Sequence, residues 1–242
     1  MKKAITLLLL TFFFYHANAQ ENSRLLDNVL SQLKLNKKDI HEPLYREKVL
    51  PNKPSNTLMV IPKYRVNETD EYGNLYLELD AYIIIADNTS GKILYKYIEP
   101  NAWTSDAMAL WDITIDTGLY QLNENTRAFG IRASYRNGSQ PNPSHNTDLS
   151  LYIVQNNTLE QILNNYKIDS AGGEWDTKCA GEFEDSTGHI DIDKNKTNGF
   201  KNLIVKSKTT YTKSISIKDD CVEKVTHKNS TKILKYNGKT YQ

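Results

Sequence analysis

The sequence is poor in the residues that carry most enzyme chemistry. Only two cysteines, Cys179 and Cys221, occur in 242 residues. They form no Cys-x-x-Cys unit and no histidine pair lies beside them, so a zinc site of ordinary spacing is excluded. His41, His145, His189 and His227 are scattered singly. There is no Gly-x-Ser-x-Gly elbow, no His-Glu-x-x-His helix and no phosphate-binding glycine loop. An excess of charge of one sign is also lacking, with 30 basic residues against 29 acidic. That balance argues against the basic field that nucleic acid or an anionic membrane surface requires.

Long hydrophobic runs are absent except at the start. Ala4 to Tyr15 is apolar, preceded by Lys2-Lys3 and followed by Ala17-Asn18-Ala19. A positive start, a short apolar stretch and a small-x-small site are the layout of a secretory signal peptide. The run is shorter than the roughly 20 residues that span a bilayer, and no cysteine near Ala19 offers a lipid attachment point. The expectation is a segment 1–19 cleaved near Ala19, leaving a periplasmic or secreted protein with no integral membrane segment. Lys2 and Lys3 leave with it, so the 29 acids then outnumber the bases by one. In an oxidising compartment the two cysteines are most simply a disulfide. The ~40-residue loop it would close is worth roughly 4 kcal/mol by chain entropy, before strain.

Residues 20–56 read as a helix and connector. Leu26, Val29, Leu30 and Leu33 recur at helical spacing, with Ser23 as N-cap. The stripe is expected to pack on the main domain. Pro43, Pro51 and Pro54 mark the connector. Residues 57–242 read as a β domain, with a possible subdomain boundary near residue 171. Leu58 to Ile61 is a short strand stopped by Pro62. Leu75 to Ala86 and Lys92 to Ile98 form a hairpin about Asp87–Gly91. Tyr82-Ile83-Ile84-Ile85 has the continuous apolar character of a strand buried on both faces. Leu110–Ile115, Ala128–Tyr135 and Leu149–Val154 follow as strands. Leu159–Tyr166 fits a short helix or a strand. Glu174–Glu184, Gly188–Ile192, Phe200–Lys206 and Tyr211–Ile217 are further candidates, and Asn237-Gly238 suggests a closing type I′ hairpin. The fold class is mostly β: sandwich-like antiparallel sheets with one short N-terminal helix.

Three groups of residues offer a site. Asp191, Asp193 and Asn195 alternate oxygen-bearing side chains before Gly199, the pattern a hard cation such as calcium takes from one loop. Calcium is the only cofactor the sequence suggests. Trp103, Asp106, Trp111, Asp112 and Asp116, with Glu174, Trp175 and Asp176, set acids beside aromatic rings as glycan-acting sites do. Trp111 is equally a core-strand residue and the acids equally turn markers. Third, Arg132, Tyr135, Arg136 and His145 flank a polar loop from Ser134 to Asn146, the kind of loop that binds on a rigid scaffold.

Two resemblances enter on these residues. Asp191-Ile192-Asp193-Lys194-Asn195 through Gly199 to Val205 resembles the Asp/Asn loops of VCBS and FG-GAP repeats. Asn198 and Asn202 replace acids there, and Lys194, Lys196 and Lys201 weaken the field, which favours a plain β-turn. Ala128-Phe129-Gly130-Ile131-Arg132, Pro141-Asn142-Pro143 and Gly172-Gly173-Glu174-Trp175 through Phe183 resemble an uncharacterised family of exported Gram-negative bacterial proteins. That resemblance implies export and one β unit, and no activity. The expected function is a non-enzymatic binding protein of the bacterial envelope, its partner a protein or an envelope glycan and not nucleic acid. The alternatives are a glycan-acting hydrolase or carbohydrate-binding module, and an inhibitor or immunity protein against an envelope-targeting enzyme.

Overall fold

The computed structural model describes residues 24–218 and 220–242. The segment 1–19 and the Ser23 cap lie outside them. Residues 24–33 are helical (α1). Eleven strands follow: β1 (Arg46–Leu50), β2 (Lys53–Thr69), β3 (Leu75–Asp87), β4 (Ile93–Ser105), β5 (Ala109–Gln121) and β6 (Arg127–Arg136), then β7 (Ser144–Gln155), β8 (Thr158–Trp175), β9 (Gly181–Thr197), β10 (Phe200–Ile217) and β11 (Asp220–Leu234). They form two antiparallel meanders, a four-stranded sheet ordered β1-β2-β3-β4 and a seven-stranded sheet ordered β11-β10-β9-β8-β7-β6-β5. The mostly-β sandwich with one helix is the architecture observed. Among the described residues, no helix is long and apolar enough to cross a membrane.

Three apolar layers hold it together. Between the sheets, Leu58, Val60, Ile83 and Ile85 meet Ile113, Ile131 and Tyr152. On the other side of the small sheet, Met59, Ile61, Ile84 and Ala86 lie under Leu26, Val29 and Leu30 of α1. The Tyr82–Ile85 run is therefore apolar throughout because one face meets the second sheet and the other meets the helix. A third cluster fills a curl of the large sheet, where Leu149, Leu151 and Ile153 meet Phe200, Leu203 and Val205. The amide of Lys201 donates to the Leu122 carbonyl at 2.8 Å and fastens the start of β10 to the end of β5. Each fully buried aliphatic side chain contributes about 1.5–3 kcal/mol.

α1 is tied down by its polar edge as well. Gln32 donates to the Gly91 carbonyl at 2.7 Å and accepts from the Ile93 amide at 3.1 Å. Gly91 has φ +68° and a Cβ there would stand 2.8 Å from Asn28, so only glycine lets this turn pass beneath the helix.

Several local expectations are corrected. The connector contains β1 and the start of β2. β2 runs through Pro62, because the Pro62 carbonyl points away from β3 and accepts from the His41 amide at 2.8 Å. Its missing N–H therefore costs no ladder bond. Leu159–Tyr166 belongs to β8. Register shifts against β7 place Ile162 and Leu163 both inward, which imitates helical spacing. Phe200–Lys206 and Tyr211–Ile217 are one strand, and Glu174–Glu184 is broken by a turn at 176–180. The Ala171–Gly173 stretch lies inside β8, with no interruption of the sheet. Asn237-Gly238 is not type I′, since only Gly238 has positive φ. The Asn237 side chain instead accepts from the Lys239 and Thr240 amides. The positive-φ pairs of type I′ turns stand instead at Asn156-Asn157 (φ 50° and 60°), between β7 and β8, and at Asn198-Gly199 (φ 49° and 87°), between β9 and β10.

Candidate functional site

The outer halves of β8 to β11 extend beyond the curled core as a blade exposed to solvent, with every residue of β11 but Leu234 exposed. Its tip carries the Cys179–Cys221 disulfide (Cα–Cα 5.6 Å), which joins the β8–β9 turn to the start of β11 across β10. Beside this tip the 137–143 loop is fastened to the end of β8. Gly173 and Trp175 donate amides to the carbonyls of Pro143 and Pro141, at 3.1 and 3.0 Å, and the Trp175 indole N–H donates to the Gln140 carbonyl.

Antiparallel partners directly opposite each other share a face. On one face the register aligns Ser144, Gly172, Glu184, Tyr211 and Thr226 in a row across four strand junctions. The next row is Glu174, Glu182, Lys213 and Lys224. These rows floor an open groove of about 890 Å³, with Asn142 and Pro143 at its rim. Two acids followed by two bases make a charge gradient across the floor. The Lys213–Glu182 ion pair sits at its centre and holds the Glu182 carboxyl below its ordinary pKa. Gly172 leaves a gap in the floor, and a Cβ there would meet nothing closer than the Pro143 carbonyl at 3.7 Å. Gly173 is the opposite case. Phe183 Cδ1 would lie 2.3 Å from its Cβ, so its bare backbone is what seats the Phe183 ring beside Trp175 (centroids 6.2 Å apart).

Four of the residues singled out from the sequence gather at this loop. Arg136 pairs with His145 across β6 and β7, and both are exposed. The Arg136 guanidinium lies 4.9 Å over the Trp111 ring. Trp111 sits at a register shift in β5 and is 50% exposed, not a core residue, because the bulge turns it out of the sandwich. Trp175 clamps the loop. Trp103 is elsewhere, 5% exposed in the sandwich core.

Arg132 is also apart, held by Asp116 (2.9 Å) and Asp169 (3.7 Å). Burial raises the pKa of Asp116, but hydrogen bonds from the Gly118 amide, the Tyr120 hydroxyl and Arg132 outweigh it and hold the carboxyl below its usual range. The stability this supplies is complete above the unfolded pKa of about 3.9 and is lost as pH falls through the lower folded value. Asp116→Asn is therefore expected to cost about 1.5–3 kcal/mol at pH 7, with the deficit shrinking below about pH 4. Thermal melts of both proteins between pH 7 and pH 2 measure this, and a constant gap would refute it.

The remaining acids of the Asp/Trp group are each engaged separately. Asp106 accepts from the Met108 amide, Asp112 pairs with Arg46 at 2.6 Å, and Asp176 accepts from the Lys178 and Cys179 amides. Glu174 stands in the groove.

The segment with calcium-loop character is the β9–β10 hairpin. Asp191 and Asp193 lie two residues apart on β9. Each is held by a neighbour. Lys206 donates to Asp191 at 2.7 Å, and the Asn195 amide and Asn202 side chain donate to Asp193. Among the described residues, no group of three or more His, Cys, Asp or Glu is placed to hold a metal ion.

The groove was not legible in the sequence, because Gly172, Glu184, Tyr211 and Thr226 are far apart in the chain and meet only through sheet register. Comparison with protein-family models, curated proteins and solved structures finds no match.

Proposed function

We propose that this chain is an exported, non-enzymatic binding protein of a bacterial envelope, and that the groove over β8–β11 receives a segment of a partner protein. The observation that carries the reading is the groove itself. Its floor combines a glycine gap, the Tyr211 ring and a two-sign charge row on a sheet braced at the tip by a disulfide. A charge gradient of this kind orients a partner and sets specificity, and an aromatic ring supplies contact area at small entropy cost. Export is supported by the Lys2-Lys3, apolar and Ala17-Asn18-Ala19 pattern, and by a disulfide, which persists in oxidising compartments. The resemblance to exported Gram-negative proteins agrees with it. An inhibitor or immunity protein against an envelope-targeting enzyme is the form of this function that a protein-filled groove suits.

The test is quantitative capture from the native extracytoplasmic fraction with the wild type and with Gly172→Arg. The glycine has ordinary space for a side chain, so Gly172→Arg fills the groove while leaving the melting temperature within a few degrees. One protein captured by wild type and lost with the variant, and reproduced with the purified partner, is the expected result. Equal capture by both proteins would remove the groove from the account. Release of soluble fragments from peptidoglycan would replace it with the hydrolase reading.

A further inference from the structure

We propose a second binding site, for a small carboxylate with an apolar body, in a cavity at one end of the sandwich. The cavity shares no residue with the groove. It opens where the β1–β2 and β5–β6 turns lie together and reaches between the two sheets, with a volume of about 210 Å³. A dry cavity of about 150 Å³ accommodates benzene, and drug-sized pockets begin at about 300 Å³. The space therefore suits a single ring or a short alkyl chain. Its inner wall is apolar, made by Leu50, Ile85, Tyr95, Phe129 and Val154.

Charge decides what else the ligand must carry. Lys53 and Arg127 line the cavity, and none of its lining residues is an aspartate or glutamate. Among the described residues, neither cation has a carboxylate within ion-pair distance; ion pairs occur elsewhere, as at Arg46, Arg65 and Arg132. Arg127 is held in place through one nitrogen only. Its Nη2 donates to the carbonyls of Thr117 (2.9 Å) and Gly118 (3.3 Å), which leaves Nε and Nη1 for another acceptor. A fixed guanidinium with free N–H groups donates a charge-assisted hydrogen bond to a carboxylate oxygen, stronger than one to a neutral acceptor.

Asn56 adds a further donor to the lining. It lines the cavity and is 8% exposed. Its Oδ1 accepts from Ser55 at 3.0 Å, while its Nδ2 donates to no partner among the described residues. That nitrogen keeps accessible surface and is free to donate to a bound acceptor. A carboxylate at Arg127 and Lys53, with its apolar body against Phe129 and Val154, supplies an acceptor on the same wall.

The probes are octanoate and benzoate, with octanamide and benzamide as uncharged controls of the same shape. Calorimetric titration and melting temperature are read on the disulfide-intact protein. At least one of the two acids should bind with saturation and raise the melting temperature, while its amide binds at least tenfold more weakly. Lys53→Gln at the strand start and Arg127→Gln should each weaken that acid by roughly tenfold and leave the amide unchanged. Lys53→Gln touches no structural hydrogen bond, so its result stands even if Arg127→Gln folds poorly. No saturable binding of either acid at millimolar concentration would overturn the proposal. So would amides binding as well as acids, or acid affinity unchanged in Lys53→Gln and in folded Arg127→Gln.

Discussion

Ile113→Ala is expected to lower stability by about 2–5 kcal/mol, which for a chain of this size lowers the melting temperature by roughly 4–20 °C. Ile113 is fully buried between the two sheets. Its partner across β5 and β6 is Ala133, already the smallest side chain of that wall. Removing the isoleucine therefore sets two small residues together where neither can fill the gap. A backbone locked into two paired sheets cannot move inward to close the space, so the cost belongs in the upper part of the range. Trp111→Ala is the control on the same strand. The ring is half exposed and its main contact is the Arg136 guanidinium, so the loss is about 0.5–1 kcal/mol. Denaturant titration of both variants checks the contrast. If Ile113→Ala costs less than Trp111→Ala, the sheets do not meet at β5.

The second large effect is loss of the disulfide. Reduction, or Cys179→Ser with Cys221→Ser, is expected to cost up to about 4 kcal/mol by the entropy of the loop it closes, whose ends are 42 residues apart. The effect should be uneven. β11 buries nothing between Asp220 and Ile233, and along that stretch it is held by the ladder to β10, the disulfide near its start and the Lys232 ammonium over the Tyr166 ring. Amide exchange in β11 and in the 176–180 turn should accelerate most, with β2 and β3 little changed. Unchanged exchange in β11 after reduction would show that the β10 ladder alone holds the blade. Because the groove floor is made from β8 to β11, the same variant should also weaken partner capture, which ties the brace to the proposed function.

Much of the framework was legible residue by residue. Leu26, Val29 and Leu30 announce a helix with one buried face. Leu75, Leu77 and Leu79 announce a strand, and the Tyr82–Ile85 run announces burial on both sides. These work because local periodicity and burial coincide when a segment packs against one neighbour. The pattern fails where a second geometry intervenes. At Leu159–Tyr166 bulges shift the inward residues off the two-residue period, so the strand looks helical. At β11 the strand is exposed on both faces, and an exposed strand carries no hydrophobic alternation for a reader to find. Pro62 reads as the end of a strand, but a proline whose missing N–H faces outward interrupts nothing.

The candidate site divides in the same way. Arg136, His145, Trp111 and Trp175 stand out as polar or aromatic residues near a loop, and β5 to β8 bring them to that loop. Arg132 and Trp103 have the same chemical character but are used up by an ion triad and by the core. Asp191, Asp193 and Asn195 have the spacing of a cation loop, yet Asn198-Gly199 turns them into a hairpin. Composition states which donors exist; only neighbours decide whether they are already satisfied.

By itself, the sequence determined a mostly-β chain with an apolar-striped helix and one pair of cysteines suited to each other. Those properties are local, or follow from counts. The curl of the seven-stranded sheet, the groove across β8 to β11 and the cation-lined cavity between the turns came from tertiary structure alone. Each depends on strand register and on which charges find partners, and both are settled by contacts between residues tens of positions apart.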